Sequence, residues 1–258
     1  MGNSLRKGWP PLAVIAVFLA LWQGAVALWD IPAYRLPGPV EVVREALRDD
    51  VRARLWSHTL ATGARTLIGL ALGALAGVLL SVLLHLVPGA RRALSPILIL
   101  SQNIPVIVLG PLLVIWLGFG ELPKIVLILL VCFFPVTLSM VTGLRQGDPK
   151  LHNYLAMIGA GRWTLFMKLE LPNSVPFLFS GLRIAAAYSV TSAIVAEWLG
   201  AKDGLGYYIK LAANGFETAR VFAGTAIVVL FSLLLFVGVV LAERPFARWQ
   251  PKREGGGT

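Results

Sequence analysis

The chain has 258 residues, of which 57% are hydrophobic and 14% charged, and its mean hydropathy is +0.77. Soluble domains carry about 25% charged residues, and one core of this size cannot hide so much apolar surface. The composition excludes a soluble globular protein, a disordered chain and a disulfide scaffold, and defines a polytopic membrane protein. The net charge of +10 is read as membrane orientation and contact with anionic lipid, not as nucleic-acid binding. A single cysteine, Cys132, permits no internal disulfide, and His58, His85 and His152 form no metal-ligand pattern.

A crossing helix needs about 20 apolar residues. Uncharged stretches at 8–29, 66–90, 93–120, 125–144 and 221–242 each hold one span, and a sixth runs from Val175 to Leu199 around Arg183 and Glu197. Lipid leaves no partner for bare backbone groups, so the spans are helices and the protein is all-α with six transmembrane helices. Ala25-Val26-Ala27 resembles a signal-peptidase site, but five further spans and Trp9, Trp22 and Trp29 favour a retained anchor. Lys and Arg concentrate in the loops that an inside N-terminus makes cytoplasmic, which places both termini there.

Between the first two spans, residues 30–57 are too polar to cross. Val40, Val43, Leu47, Val51 and Leu55 recur at helical spacing after Pro39, predicting one amphipathic helix on the membrane face. It is either a passive connector or part of a docking surface for an extracytoplasmic partner. Ser101, Gln102 and Asn103 precede Pro105 in the third span, and the fourth carries Pro135. Each proline removes a helix hydrogen bond, so Gln102, Asn103, Pro105 and Pro135 are candidates for a solute pathway.

Residues 145–172 form the longest cytoplasmic loop. Asp148 is suited to cap a helix that Pro149 opens, with Leu151, Tyr154, Leu155 and Ile158 as its apolar stripe. Gly159, Ala160 and Gly161 break it, and a second short helix from Trp163 to Leu169 is expected to end before Pro172. Such a stripe must bury itself against lipid headgroups or a soluble subunit. The outer loop 200–220 holds Gly200, Gly204 and Gly206 before Tyr207, Tyr208, Ile209 and Leu211, predicting a turn and a short amphipathic or re-entrant helix.

Catalytic signatures are missing: there is no Gly-x-Ser-x-Gly elbow, and no Lys is followed by Ser or Thr as a phosphate-binding loop requires. Arg183 and Glu197 are the ionisable residues at membrane depth, where charge is costly, and they join the candidates for the solute pathway. Fourteen residues apart on one helix, they lie about 21 Å from each other and cannot pair. The rival expectation puts Glu197 at the outer interface and Arg183 on helix-end carbonyls or phosphates.

These features resemble the permease subunits of bacterial binding-protein-dependent ABC importers. That family carries a cytoplasmic Glu-Ala-Ala, three residues, Gly, nine residues, Ile-x-Leu-Pro. This chain has Gly159 and Ala160, Phe166 at the aromatic position, Leu169 for Ile, then Leu171 and Pro172; Asn153-Tyr154-Leu155 replaces Glu-Ala-Ala. Further matches are Gly110-Pro111-Leu112-Leu113, Ile115 to Gly120, Gly181 to Ala185, and Glu197 followed by Gly204-Leu205-Gly206. The resemblance covers 56–242, after an N-terminal helix and outer segment over 1–55 and before a basic cytoplasmic tail at 243–258. It implies a type I importer transmembrane domain in the bacterial inner membrane, with a second copy of the permease, a cytoplasmic ATPase dimer gripping Leu151, Tyr154, Leu155, Ile158, Gly159, Ala160, Phe166, Leu171 and Pro172, and an extracytoplasmic solute-binding protein. ATP and Mg would sit on the ATPase, with no cofactor on this chain and no enzymatic activity of its own. Ser101 to Pro105, Leu122-Pro123-Lys124 and Cys132 to Pro135 look like the nitrate/sulfonate/taurine branch, nearest to permeases for thiamine-precursor pyrimidines. Alternatives are the same machinery for a small anion, with Arg183 as counter-charge, and an ion-coupled carrier, which the lack of internal repeats and of several membrane-depth acids disfavours.

Overall fold

The computed structural model describes residues 2–101 and 103–247, without the side chains of 2–9, 11, 12, 88, 95, 99 and 247. The pathway candidate Gln102, the Trp9 side chain and residues 248–258 of the basic tail therefore lie outside the described residues. Among the described residues every regular element is helical: α1 (Gly2–Leu28), α2 (Pro39–Leu47), α3 (Asp49–Leu86), α4 (Pro88–Ser101), α5 (Val106–Leu117), α6 (Leu122–Arg145), α7 (Pro149–Met157), α8 (Arg162–Leu165), a π-helical turn (Phe166–Glu170), α9 (Leu171–Trp198), α10 (Leu205–Asn214) and α11 (Thr218–Ala247). The chain forms two units, one made of residues up to Ala61 with Lys202–Val229, the other of Thr62–Ala201 with the chain from Leu230.

Among the described residues, four continuous helices are long and apolar enough to cross a membrane: Asp49–Leu86, Leu122–Arg145, Arg162–Trp198 and Thr218–Phe246. The expected count of six is not reached by this measure. The third expected span, 93–120, is not one helix. Pro105 stands in extended conformation at the head of α5, where it cannot donate the backbone hydrogen bond that would join α4 to α5. Two shorter apolar helical stretches, Ala13–Leu28 and Val106–Leu117, remain.

In the first unit, the amphipathic helix expected from Pro39 to Leu55 is divided. Arg48 is extended, and the chain restarts as α3 at Asp49. The cause is the acidic pair Asp49 and Asp50, which favours the positive end of a helix dipole and so marks a helix start. Arg52 then pairs with Asp49 and Arg54 with Asp50 one turn on. Val51 and Leu55 are buried on α3, whereas Val40, Val43 and Leu47 of α2 stay exposed. Arg220 ties the head of α11 to α2 through Glu45 at 2.8 Å, and also binds Glu217 at 2.7 Å. The His58 Nδ1 accepts the Gly204 N–H at 3.0 Å, holding the turn that leads into α10, the short helix expected there.

The second unit is built on α6 and α9, whose facing residues Ile128, Cys132, Val136, Ala185, Ala186 and Ala193 form one buried cluster with Leu70 of α3. Small residues set the spacing. Gly69, Gly73, Gly77 and Ser81 recur every four residues on α3, and Gly181, Ala185, Ser189 and Ala193 do so on α9; all are buried. A Cβ on Gly73 would lie 2.7 Å from the Leu129 carbonyl oxygen, and one on Gly181 would lie 2.8 Å from that of Pro135. These stripes let backbones approach closely where lipid supplies no hydrophobic drive between helices. The Ser81 hydroxyl donates to the Gly77 or the Thr137 carbonyl, at 2.6 and 3.1 Å, which satisfies a buried polar group across the α3–α6 seam.

The second short helix of the 145–172 loop does not end before Pro172. Arg162–Trp198 is one continuous helix, because Leu171 donates its N–H to the Phe166 carbonyl five residues back and Pro172 falls in the first turn of α9. Proline is tolerated there because the π turn already interrupts the four-residue hydrogen-bond ladder.

Candidate functional site

Three arrangements in the second unit bear on function: a cavity beside the break in the third span, a buried ion network, and the uncovered helix α7.

The cavity has a volume of about 540 Å³ and is lined by α4 and α5 residues with the segment joining them, by α6 and by α9. Its walls include Ile104, Leu109, Leu130, Phe134, Pro135 and Ile184, with polar atoms from Ser101, Ser139 and Tyr188. None of its described lining residues is charged. Its volume falls in the ~300–1,000 Å³ range of small-molecule sites. Of the expected pathway residues, Pro135 lines it. Asn103 and Pro105 alternate along the chain with the lining residues Ile104 and Val106 without lining it themselves.

Arg183 and Glu197 lie elsewhere. Arg183 pairs with Glu243 of α11 at 3.5 Å. Glu197 is fully buried and receives Arg65 Nη1 at 3.0 Å and the Thr62 hydroxyl at 2.8 Å. Arg65 also grips Glu121 through two nitrogens, Nη2 lying 2.9 Å from Oε1, and Lys124 binds Glu121 at 2.8 Å. Two cations and two carboxylates thus balance across α3, α6 and α9. The Arg65 guanidinium first, and Lys124 after it, hold the Glu121 carboxyl down to about 2. Arg65, Thr62, Glu121 and Lys124 were not among the expected site residues. The signal for Arg65 was present: Val51, Leu55, His58, Thr62, Arg65 and Gly69 alternate at spacings of four and three along one helix face.

The 145–172 loop begins with α7 as the residues predict. Asp148 accepts the Lys150 N–H at 2.8 Å, and Pro149 occupies the first turn. At the other end Gly159 has φ +84°, Gly159 N–H donates to Ala156 O, and Ala160 N–H to Leu155 O. This pair of bonds closes the helix on a left-handed residue, which glycine adopts without strain. No residue of α7 is buried. Leu151, Tyr154 and Ile158 are exposed, as is Met157, and Leu155 is half-buried. Phe166, by contrast, is buried with Met140 and Leu144, so it anchors the returning chain, while Leu171 is half-buried and Pro172 exposed. Ala160 is half-buried in the bend. The returning chain is also tied to the end of α3: His85 meets Glu170 at 2.7 Å, and Arg162 donates to the Leu86 carbonyl at 3.0 Å.

Apolar spans, a cavity beside broken helices, and a capped apolar helix left uncovered fit a transport subunit. The chain belongs to the family described as binding-protein-dependent transport system inner membrane component, which matches residues 58–247. It is 33% identical over 255 residues to the formylaminopyrimidine transport permease protein ThiX of Halalkalibacterium halodurans, covering 96% of this chain and 100% of that one. It is 34% identical to the riboflavin transport system permease protein RibX of Chloroflexus aurantiacus over 95% and 92% of the two chains. To the taurine transport system permease protein TauC of Escherichia coli it is 30% identical over 96% and 94%. The crystal structure of an amino acid ABC transporter with histidines shares the fold, with a TM-score of 0.64 over 76% of this chain and 95% of that one at 15% identity. This chain is therefore an ABC importer permease subunit, embedded in the membrane.

Proposed function

We propose that two copies of this chain form the solute pathway of an ATP-driven importer of a thiamine-precursor pyrimidine in a bacterial inner membrane. Six crossings per copy are completed by α1 and by the broken α4–α5 pair, with both termini cytoplasmic. An extracytoplasmic binding protein delivers the solute. Two cytoplasmic ATPase subunits, holding ATP and Mg, receive α7 in a groove, so that nucleotide-driven closure moves the loop and switches access. Gln102, Asn103, Pro105 and Pro135 belong to the pathway; Arg183 and Glu197 serve it through the packing of α9.

The observation that carries the reading is α7, a well-capped helix with Leu151, Tyr154, Met157 and Ile158 all exposed. An apolar stripe held this rigidly calls for a partner that covers it. For the solute, the uncharged cavity and the relatives for formylaminopyrimidine and riboflavin favour a neutral heteroaromatic ring. The taurine and aliphatic sulfonate permeases among the relatives carry the alternative of a small sulfonate.

The test is ATP-driven uptake by the reconstituted permease, ATPase and binding protein. Tyr154→Asp is expected to abolish uptake and ATPase co-purification while leaving the folded permease intact. Normal uptake and co-purification by that variant would overturn the role of α7. Uptake that proceeds without the ATPase would instead favour the ion-coupled carrier.

A further inference from the structure

We infer that the cavity is a solute-binding chamber of the permease itself, selective for a flat, uncharged heteroaromatic ring, with Ser139 and Tyr188 as its specificity residues. The inference rests on the permease reading above and deepens it, because it assigns selection to this chain as well as to the binding protein.

The walls offer apolar faces for the two sides of a ring: Leu130 and Phe134 from α6, Leu109 from α5 and Ile184 from α9. The polar groups available to the ring edge are few. Among the described residues, the Ser139 and Tyr188 hydroxyls make no hydrogen bond, whereas the Ser101 hydroxyl is already bonded to the Leu98 carbonyl. Each free hydroxyl both donates and accepts, which suits ring nitrogens and exocyclic amino groups alike. Pro135, which also lines the cavity with Val131, supplies no N–H to the Val131 carbonyl four residues back. Gly181 preserves this arrangement by allowing α9 against the Ser139 side chain, where a Cβ would meet the Ser139 Cβ at 2.9 Å.

An anion would fare badly here. It would lose its hydration among apolar walls and gain no counter-charge. No basic residue is among the cavity's described lining residues, and of those on the lining helices Lys124 is bound to Glu121 and Arg183, next to the lining residue Ile184, to Glu243. A ring without charge loses little on entry and recovers its hydrogen bonds on the two hydroxyls.

The experiment uses the assembled permease and ATPase in nanodiscs, without the binding protein, titrated with formylaminopyrimidine and separately with taurine. Saturable binding of formylaminopyrimidine and none of taurine is expected, with Ser139→Ala and Tyr188→Phe each weakening binding by about 3- to 10-fold and Leu130→Trp, which fills the space, removing it. Absence of saturable binding, equal binding of taurine, or unchanged affinity in both hydroxyl variants overturns the chamber. Uptake of formylaminopyrimidine with the binding protein present is read in parallel. If it proceeds while the chamber test fails, this inference falls alone. If no solute is taken up with ATP, the permease reading falls and takes the inference with it.

Discussion

Arg65 sits in the middle of a membrane-length helix, 6% exposed, and it is tolerable there only because two carboxylates meet it. Removing one member of a buried ion pair leaves the other charge without compensation, at a cost of about 3–5 kcal/mol, whereas neutralising both members is often harmless. Arg65→Met is therefore expected to lower the unfolding temperature of the detergent-solubilised protein sharply, and Arg65→Met with Glu197→Gln to restore most of it. Thr62 can still donate to the amide oxygen in the double variant. If Arg65→Met unfolds at the wild-type temperature, the network carries no stability. Little of this was legible beforehand. Glu197 stood out by its depth, but its partner is 132 positions away in sequence, and Arg65 looked like the charged border of a span that in fact begins sixteen residues earlier, at Asp49.

At the scale of the helix, spacing is decided by what is missing from the side chains. The α3 stripe of Gly69, Gly73 and Gly77 meets α6 closely, and at Gly73 the smallest addition runs into backbone, the Leu129 carbonyl oxygen at 2.7 Å, which cannot swing aside. Gly73→Ala is expected to cost about 1–3 kcal/mol through overpacking, seen as a lower unfolding temperature and lower yield. Gly238→Ala on α11, where a Cβ meets nothing within 4 Å, serves as the control and should not destabilise, helix propensity favouring alanine there. An equal effect of both changes would remove the packing argument. Where a break is written in local chemistry, it could be read in advance: Asp148 with Pro149, and Gly159, bound α7 as their chemistry predicts. Where it depends on competition between signals, it could not. The spacing of Val40 to Leu55 predicts one amphipathic helix, and Asp49 with Asp50 instead opens a second one within it. Pro172 read as a stop, yet the π turn before it absorbs the lost hydrogen bond and the helix continues. Pro105 is expected to remove one hydrogen bond within a continuous span, and it stands instead at the head of a separate helix.

For the whole molecule, membrane residence followed from charge scarcity, and the family from residues scattered between Gly110 and Gly206. The number of crossings was less accessible, because an apolar run records how much chain is shielded from water and not whether that chain is one helix. The solute was the least accessible property. Its recognition depends on which hydroxyls are left over once packing is complete, and that is a property of α4, α5, α6 and α9 together.

One consequence follows from the π turn at Phe166–Glu170. An α-helix advances about 100° per residue, so a single residue held in that turn sets the angular phase of everything before it about the axis of α9. Deleting one residue there would swing α7 by about a quarter of a revolution or more, leaving α3, α6 and α11 intact but aiming Leu151 and Tyr154 in another direction. The chain length of this turn is thus under tighter constraint than its exposed side chains, Met167 and Lys168, which can vary freely as long as none is lost.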